Sequence, residues 1–102
     1  VPVKDPVEVI GVNDRAQLTF AEGLLRDRIN EALMAGGVTL VDPANTYISP
    51  KVRIGHDTII YPRTYIYGDT VIGEGSFVGP GVWIEDSRIG NGVTVKMSSY
   101  IT

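Results

Sequence analysis

The sequence predicts a mainly β protein: one α-helix followed by a parallel β-helix of six-residue repeats. Three observations lead there. Ile48, Ile54, Ile60, Ile66, Ile72, Val78 and Ile84 stand six residues apart without a break, and Ile89, Val95 and Ile101 continue after one step of five. Two residues before each aliphatic sits a small or β-branched residue, such as Thr46, Val52, Thr58, Thr64, Thr70 and Ser76. Gly, Pro, Asp and Asn fill the remaining positions, as in Gly73, Gly75, Gly79-Pro80-Gly81 and Gly90-Asn91-Gly92. A helix needs a period of 3.6 and a strand hairpin needs alternation, so a strict period of six with turn residues in every unit signals stacked hexapeptide coils. Each hexad is a short strand plus a turn, and three hexads close one triangular coil. The aliphatic points inward, the small residue fits near a corner, and successive coils share ladder hydrogen bonds about 4.8 Å apart. The step of five at Asp86-Ser87-Arg88 reads as a shortened turn. Residues 46–102 make about three coils. The repeat is still running at Thr102, and a raw stack edge needs a cover, so the natural chain is expected to continue.

Upstream of the repeat, residues 1–12 (VPVKDPVEVIGV) are β-branched with two prolines and read as an extended segment. Residues 14–35 read as one helix. Asn13 is a suitable N-cap, and Asp14 suits the positive helix start. Leu18, Ala21, Leu25, Ile29 and Ala32, widened by Leu24 and Leu33, form an apolar stripe. Arg15, Glu22, Arg26, Asp27, Asn30 and Glu31 lie mostly on the other side. Gly36-Gly37 supplies the stop. Residues 38–47 form a short strand and a turn at Asp42-Pro43 that lead into the repeat.

Composition narrows the chemistry. A chain of 102 residues is too short for a complete nucleotide-binding domain of the usual size. The absence of cysteine excludes disulfides, thiol nucleophiles and thiolate metal sites. A net charge of −3 argues against a nucleic-acid surface. No apolar run reaches the ~20 residues of a membrane span, and no signal peptide is visible.

The stretches GVNDR, LMAGGVT and DPANTYI, followed by the hexapeptide array opening TYISPKVRIGHDTIIYP, are distinctive. Over essentially the whole chain they resemble the central part of the bacterial bifunctional N-acetylglucosamine-1-phosphate uridyltransferase / glucosamine-1-phosphate acetyltransferase family. The resemblance implies a left-handed β-helix, against the usual right-handed crossover preference. It implies a uridyltransferase remnant at 1–12, a linker helix and adaptor at 13–45, and the first acetyltransferase coils at 46–102. It implies a cytoplasmic, trimeric parent that makes UDP-N-acetylglucosamine for cell-wall precursors. The substrates would be a sugar phosphate, UTP and acetyl-CoA, with Mg²⁺ at the uridyltransferase site.

Site residues are sparse. By the resemblance, Asn13 of GVN would help hold Mg²⁺ and contact the nucleotide sugar, a role compatible with capping the helix. An amide oxygen is a sensible hard ligand for Mg²⁺ beside carboxylates and waters. His56 is the only histidine, but it falls in an early turn, whereas the family's catalytic histidine lies further along the β-helix. The glycine pairs Gly73/Gly75 and Gly79/Gly81 are in register with the repeat and precede no helix, so they read as turns and not phosphate loops. Lys96-Met97-Ser98-Ser99 reads as ordinary coil. Tyr47, Tyr61, Tyr65, Tyr67, Trp83 and Tyr100 are expected to form an outer aromatic surface, some of it in trimer contact. The chain alone is expected to be catalytically inactive. Two alternatives stand beside the transferase reading: a structural, trimerising β-helix module, and a sugar nucleotidyltransferase of other specificity with a hexapeptide tail.

Overall fold

In a computed structural model of the chain, the backbone is described from Pro6 to Thr102 and the side chains from Asp14 onward. Helix α1 spans Pro6–Ala35. Eleven short strands follow: β1 (Thr39–Leu40), β2 (Thr46–Ile48), β3 (Arg53–Ile54), β4 (Ile59–Ile60), β5 (Thr64–Tyr67), β6 (Val71–Ile72), β7 (Phe77–Val78), β8 (Trp83–Glu85), β9 (Arg88–Ile89), β10 (Thr94–Val95) and β11 (Tyr100–Ile101). They assemble into three all-parallel sheets, β1-β4-β7-β10, β2-β5-β8-β11 and β3-β6-β9. Each strand from β1 to β8 pairs with the strand three further on. This is the coiled stack the period predicts, and the hexapeptide repeat fits its left-handed form.

The stack holds nearly four turns where the sequence suggested about three, because it begins at β1. Leu40 is the first inward aliphatic (7 % exposed), and Val38 takes the corner position two residues before it. The period conceals this. Leu40 and Ile48 are eight residues apart, since a 3₁₀ turn at Pro43–Asn45 adds two residues. The register records the changes in coil length: Thr39 faces Ile59, Tyr65 faces Trp83, and Val71 faces Arg88. The shortest coil contains the predicted tight turn, where Asp86 (φ 48°) links β8 to β9. Its carboxylate accepts a hydrogen bond from the Asp69 amide one coil away (2.8 Å).

The core is a column. Ile60, Ile66, Val78 and Ile84 are fully buried, and Ile72 nearly so. The corner hydroxyls are buried too, and a buried hydroxyl must find partners. Thr58 Oγ1 donates to the Gly73 carbonyl (2.6 Å) and accepts from the Ser76 amide (3.1 Å). Ser76 repeats the pattern one coil on, donating to Gly90 (2.8 Å) and accepting from Val93 N (3.2 Å). Small hydroxyl residues therefore recur because they fit the corner and tie one coil to the next.

Two expectations for the helix change. The helix already includes Pro6, so the extended reading of residues 6–12 is corrected, and Asn13 lies within the helix instead of capping it. Proline is well suited to a first helical turn, and extending an existing helix is cheaper than nucleating one. Residues 1–5 lie outside the described residues. At the other end the stop is as expected. Val38 N bonds Leu33 O and Gly37 N bonds Met34 O (both 3.1 Å), with Gly37 at φ +97°. This is a Schellman cap, completed by packing of Leu33 and Val38 in the core.

Candidate functional site

Among the described residues of α1, only those of its last turns meet the coils. Ile29 and Leu33 pack against the core, while Leu18, Leu24 and Leu25 remain about half exposed or more. The stripe read from the sequence is thus covered at its C-terminal end only. Among the described residues of α1 the most buried side chain is Asn30, 1 % exposed, although its place in the helical pattern is on the polar side. Its Nδ2 donates to the carbonyls of Pro43 (2.8 Å) and Thr46 (3.2 Å). The Pro43 carbonyl also accepts the Thr46 amide within the 3₁₀ turn, so the side-chain amide of Asn30 adds a second bond there and ties the helix to the Thr46 carbonyl as well. Where α1 lifts off the first coil, a groove of about 320 Å³ opens between Leu25, Arg26 and Ile29 on one side and Tyr47, Pro50 and Tyr67 on the other.

The outer face of the β2-β5-β8-β11 sheet carries an aromatic ladder. Parallel in-register pairing puts Tyr47, Tyr65, Trp83 and Tyr100 in one column. Tyr47 and Tyr65 stack at 5.0 Å, Tyr65 and Trp83 at 5.5 Å, and Trp83 and Tyr100 at 6.3 Å. Tyr67 leans on Trp83 (5.2 Å), and its partial burial among rings raises its phenol pKa, with a smaller push from Tyr65. The Arg26 guanidinium sits 4.9 Å from the Tyr47 ring centroid and caps the column. Five of the six expected aromatics therefore share one surface. Tyr61 does not. It pairs with Phe77 (5.0 Å), which stands on the sheet containing β7.

His56 sits exposed in a turn, as the repeat implied. Its Nδ1 lies 3.0 Å from Asp57 Oδ2 and its Nε2 lies 3.2 Å from Glu74 Oε2, one coil away. The hydrogen bond to Asp57, then the charges of Glu74 and Asp57, raise its pKa above the ordinary 6.5. Both ring nitrogens are thereby engaged, which suits a turn-to-turn tie better than a general base awaiting a substrate proton. Because the folded-state pKa is raised, protonation favours the folded chain below pH 6.5, and that contribution is lost as pH rises through the raised value. In an NMR titration the His56 midpoint should stand above 6.5 and fall in Asp57→Asn and Glu74→Gln. A midpoint unmoved in both variants contradicts the pairing.

The side chain of Asn13 lies outside the described residues. Among the described residues no group of three His, Cys, Asp or Glu is placed to hold a metal ion, so they do not by themselves compose a Mg²⁺ site. The glycine turns stand in register between strands, with no helix behind them. Lys96 to Ser98 form part of a turn, with Ser98 N donating to Pro80 O (3.0 Å).

Residues 51–86 match the family described as Bacterial transferase hexapeptide (six repeats). The chain is 57 % identical over 100 residues to the "Bifunctional protein GlmU" of Geotalea uraniireducens (strain Rf4), covering 98 % of this chain and 22 % of that protein. It is 56 % identical over 91 residues to the protein of that name from Geobacillus sp. (strain WCH70), covering 89 % of this chain and 20 % of the relative. Over nearly its whole length the chain matches one stretch of bifunctional GlmU proteins. A third GlmU relative, from Fervidobacterium nodosum, is 57 % identical over 98 residues. The chain spans about a fifth of the length of these GlmU relatives. The similarity reaches well beyond the hexapeptide repeats to the helix. Among the described residues, no helix is long and apolar enough to cross a membrane.

Proposed function

We propose that this chain is the joint of a two-site transferase, connecting a uridyltransferase unit to a β-helical acetyltransferase unit. The whole protein would transfer an acetyl group from acetyl-CoA to the amine of glucosamine-1-phosphate, releasing the CoA thiol. It would then transfer a uridylyl group from UTP to the sugar phosphate, releasing pyrophosphate and giving UDP-N-acetylglucosamine. The observation that supports this reading is the match of nearly the whole chain, helix included, to bifunctional GlmU proteins. In this reading residues 1–12 belong to the first unit, 13–45 form the linker and adaptor, and 46–102 open the second. The β-helix would assemble as a homotrimer in the cytoplasm, with part of the outer aromatic surface at the contact.

The chain's own residues position the units. The inward column makes the coils rigid, and the Schellman cap fixes where α1 stops. Asn13 is the one proposed chemical contributor, as a Mg²⁺ ligand and nucleotide-sugar contact, in a ligand set completed from outside this chain. When bound, Mg²⁺ would offset phosphate charge during uridylyl transfer. In a full-length GlmU context, Asn13→Ala should lower uridyltransfer by roughly 10–100-fold and leave acetyl transfer unchanged. Equal activity of the variant and the parent in both assays refutes the role. A structural reading of this stretch is favoured by the environment of His56, exposed and paired on both nitrogens. In that reading the chain on its own turns over neither substrate.

A further inference from the structure

Two buried polar atoms at the helix root lack partners: Nε of Arg26 and Oδ1 of Asn30. One is a donor, the other an acceptor. Their residues are four apart on α1, the spacing at which helical side chains face each other. The Asn30 orientation is not arbitrary, because its NH₂ group meets two carbonyl oxygens and the reversed amide would put oxygen against oxygen. Its Oδ1 is therefore committed to the other side, and water does not reach it. Leaving both atoms unpaired would cost far more than a small side-chain adjustment that joins them.

We infer that Arg26 and Asn30 form one buried polar lock that sets the direction in which α1 leaves the coil stack. Asn30 ties the helix to the backbone of Pro43 and Thr46, and Arg26 Nε donates to Asn30 Oδ1. The Arg26 guanidinium in turn rests on Tyr47, the top ring of the aromatic ladder. The apolar contacts of Ile29 and Leu33 hold the helix against the coils but are non-directional and would let it roll. Hydrogen bonds fix angle as well as distance. The lock matters functionally because, on the reading proposed above, α1 carries one catalytic unit relative to the other. A small angular error at the root grows along a helix that rises 1.5 Å per residue. Arg26 and Asn30 are then positioning residues.

The chain has no cysteine, so Gln17→Cys and Thr94→Cys give a unique spin-label pair, one on the helix and one on β10. The expected result is a single narrow distance distribution in the otherwise unchanged chain. Arg26→Met, which keeps the stem and removes the donors, should broaden it while the β signal in circular dichroism persists. Asn30→Asp should broaden it further by setting a carboxylate against two carbonyls. The Arg26 Nε proton should exchange roughly tenfold more slowly than that of exposed Arg15, as expected of a buried hydrogen bond. An Arg26→Met distribution as narrow as the parent's, or Nε exchange as fast as at Arg15, overturns the lock. These readouts concern this chain alone. The Asn13 assay concerns the whole enzyme, so the two proposals fail separately.

Discussion

Ile66→Ala is expected to destabilise the chain by about 4 kcal/mol, at the upper part of the range for a buried aliphatic cut to a methyl group. Ile66 is fully buried, in the middle strand region of its sheet, with Ile48 in register on one side and Ile84 on the other. A cavity there has coils above and below and a corner residue beside it, and none can collapse inward without breaking ladder bonds. The cost combines lost transfer energy with an unrelaxed void. The same change at Ile101 should cost much less, because that residue is partly exposed in β11 and its described in-register neighbour is Ile84 alone. Urea unfolding followed by Trp83 fluorescence measures both. Equal losses at the two positions would contradict a column-like core.

Gly73→Ala should be the other severe substitution, about 3 kcal/mol, from overpacking against backbone. A Cβ on Gly73 would lie 2.7 Å from both Asn91 N and the Gly90 carbonyl carbon. Backbone cannot rotate aside, so the coils must part locally, weakening the Gly73 N to Ile89 O bond (2.8 Å) and the Glu74 N to Asn91 Oδ1 bond (2.8 Å). Gly75→Ala is the informative contrast. A Cβ there meets nothing within 4 Å, but φ is +64°, so the cost is conformational, about 1 kcal/mol. Hydrogen exchange separates the two. Gly73→Ala should remove protection along β6 and β9, whereas Gly75→Ala should leave it. Retained protection in Gly73→Ala would show that the coils have slack the close approach denies.

The coils from Ile48 onward were legible because one constraint, a fixed inward position once per side, writes itself into every sixth residue. The first strand was legible as a strand but not as part of the stack, because the two residues added by the Pro43–Asn45 turn break the count, although Val38 and Leu40 carry the same small-x-aliphatic pair. The helix stop was readable from Gly36-Gly37, but its start was not. The residues 6–12 have strand propensity, and propensity yields to extension of an existing helix. Asn30 was misplaced for a related reason. Periodicity counts polarity, and this amide is buried to meet two carbonyls that become visible only once the turn beside it is built. Tyr61 was grouped with the other aromatics by composition, and register alone separates it. The chemistry implied for Asn13 came from family resemblance, since one amide carries no metal site by itself.

The column-like core has a consequence for economy of size. In an ordinary globule the interior grows faster than the surface, so stability and length are bound together. Here each added coil brings the same cross-section, the same three inward aliphatics and the same perimeter of outer residues. The ratio of inside to outside is then nearly constant along the axis, and stability accrues coil by coil. Such a scaffold can be lengthened or shortened by whole turns to suit the span its user needs, without redesigning what is already stacked.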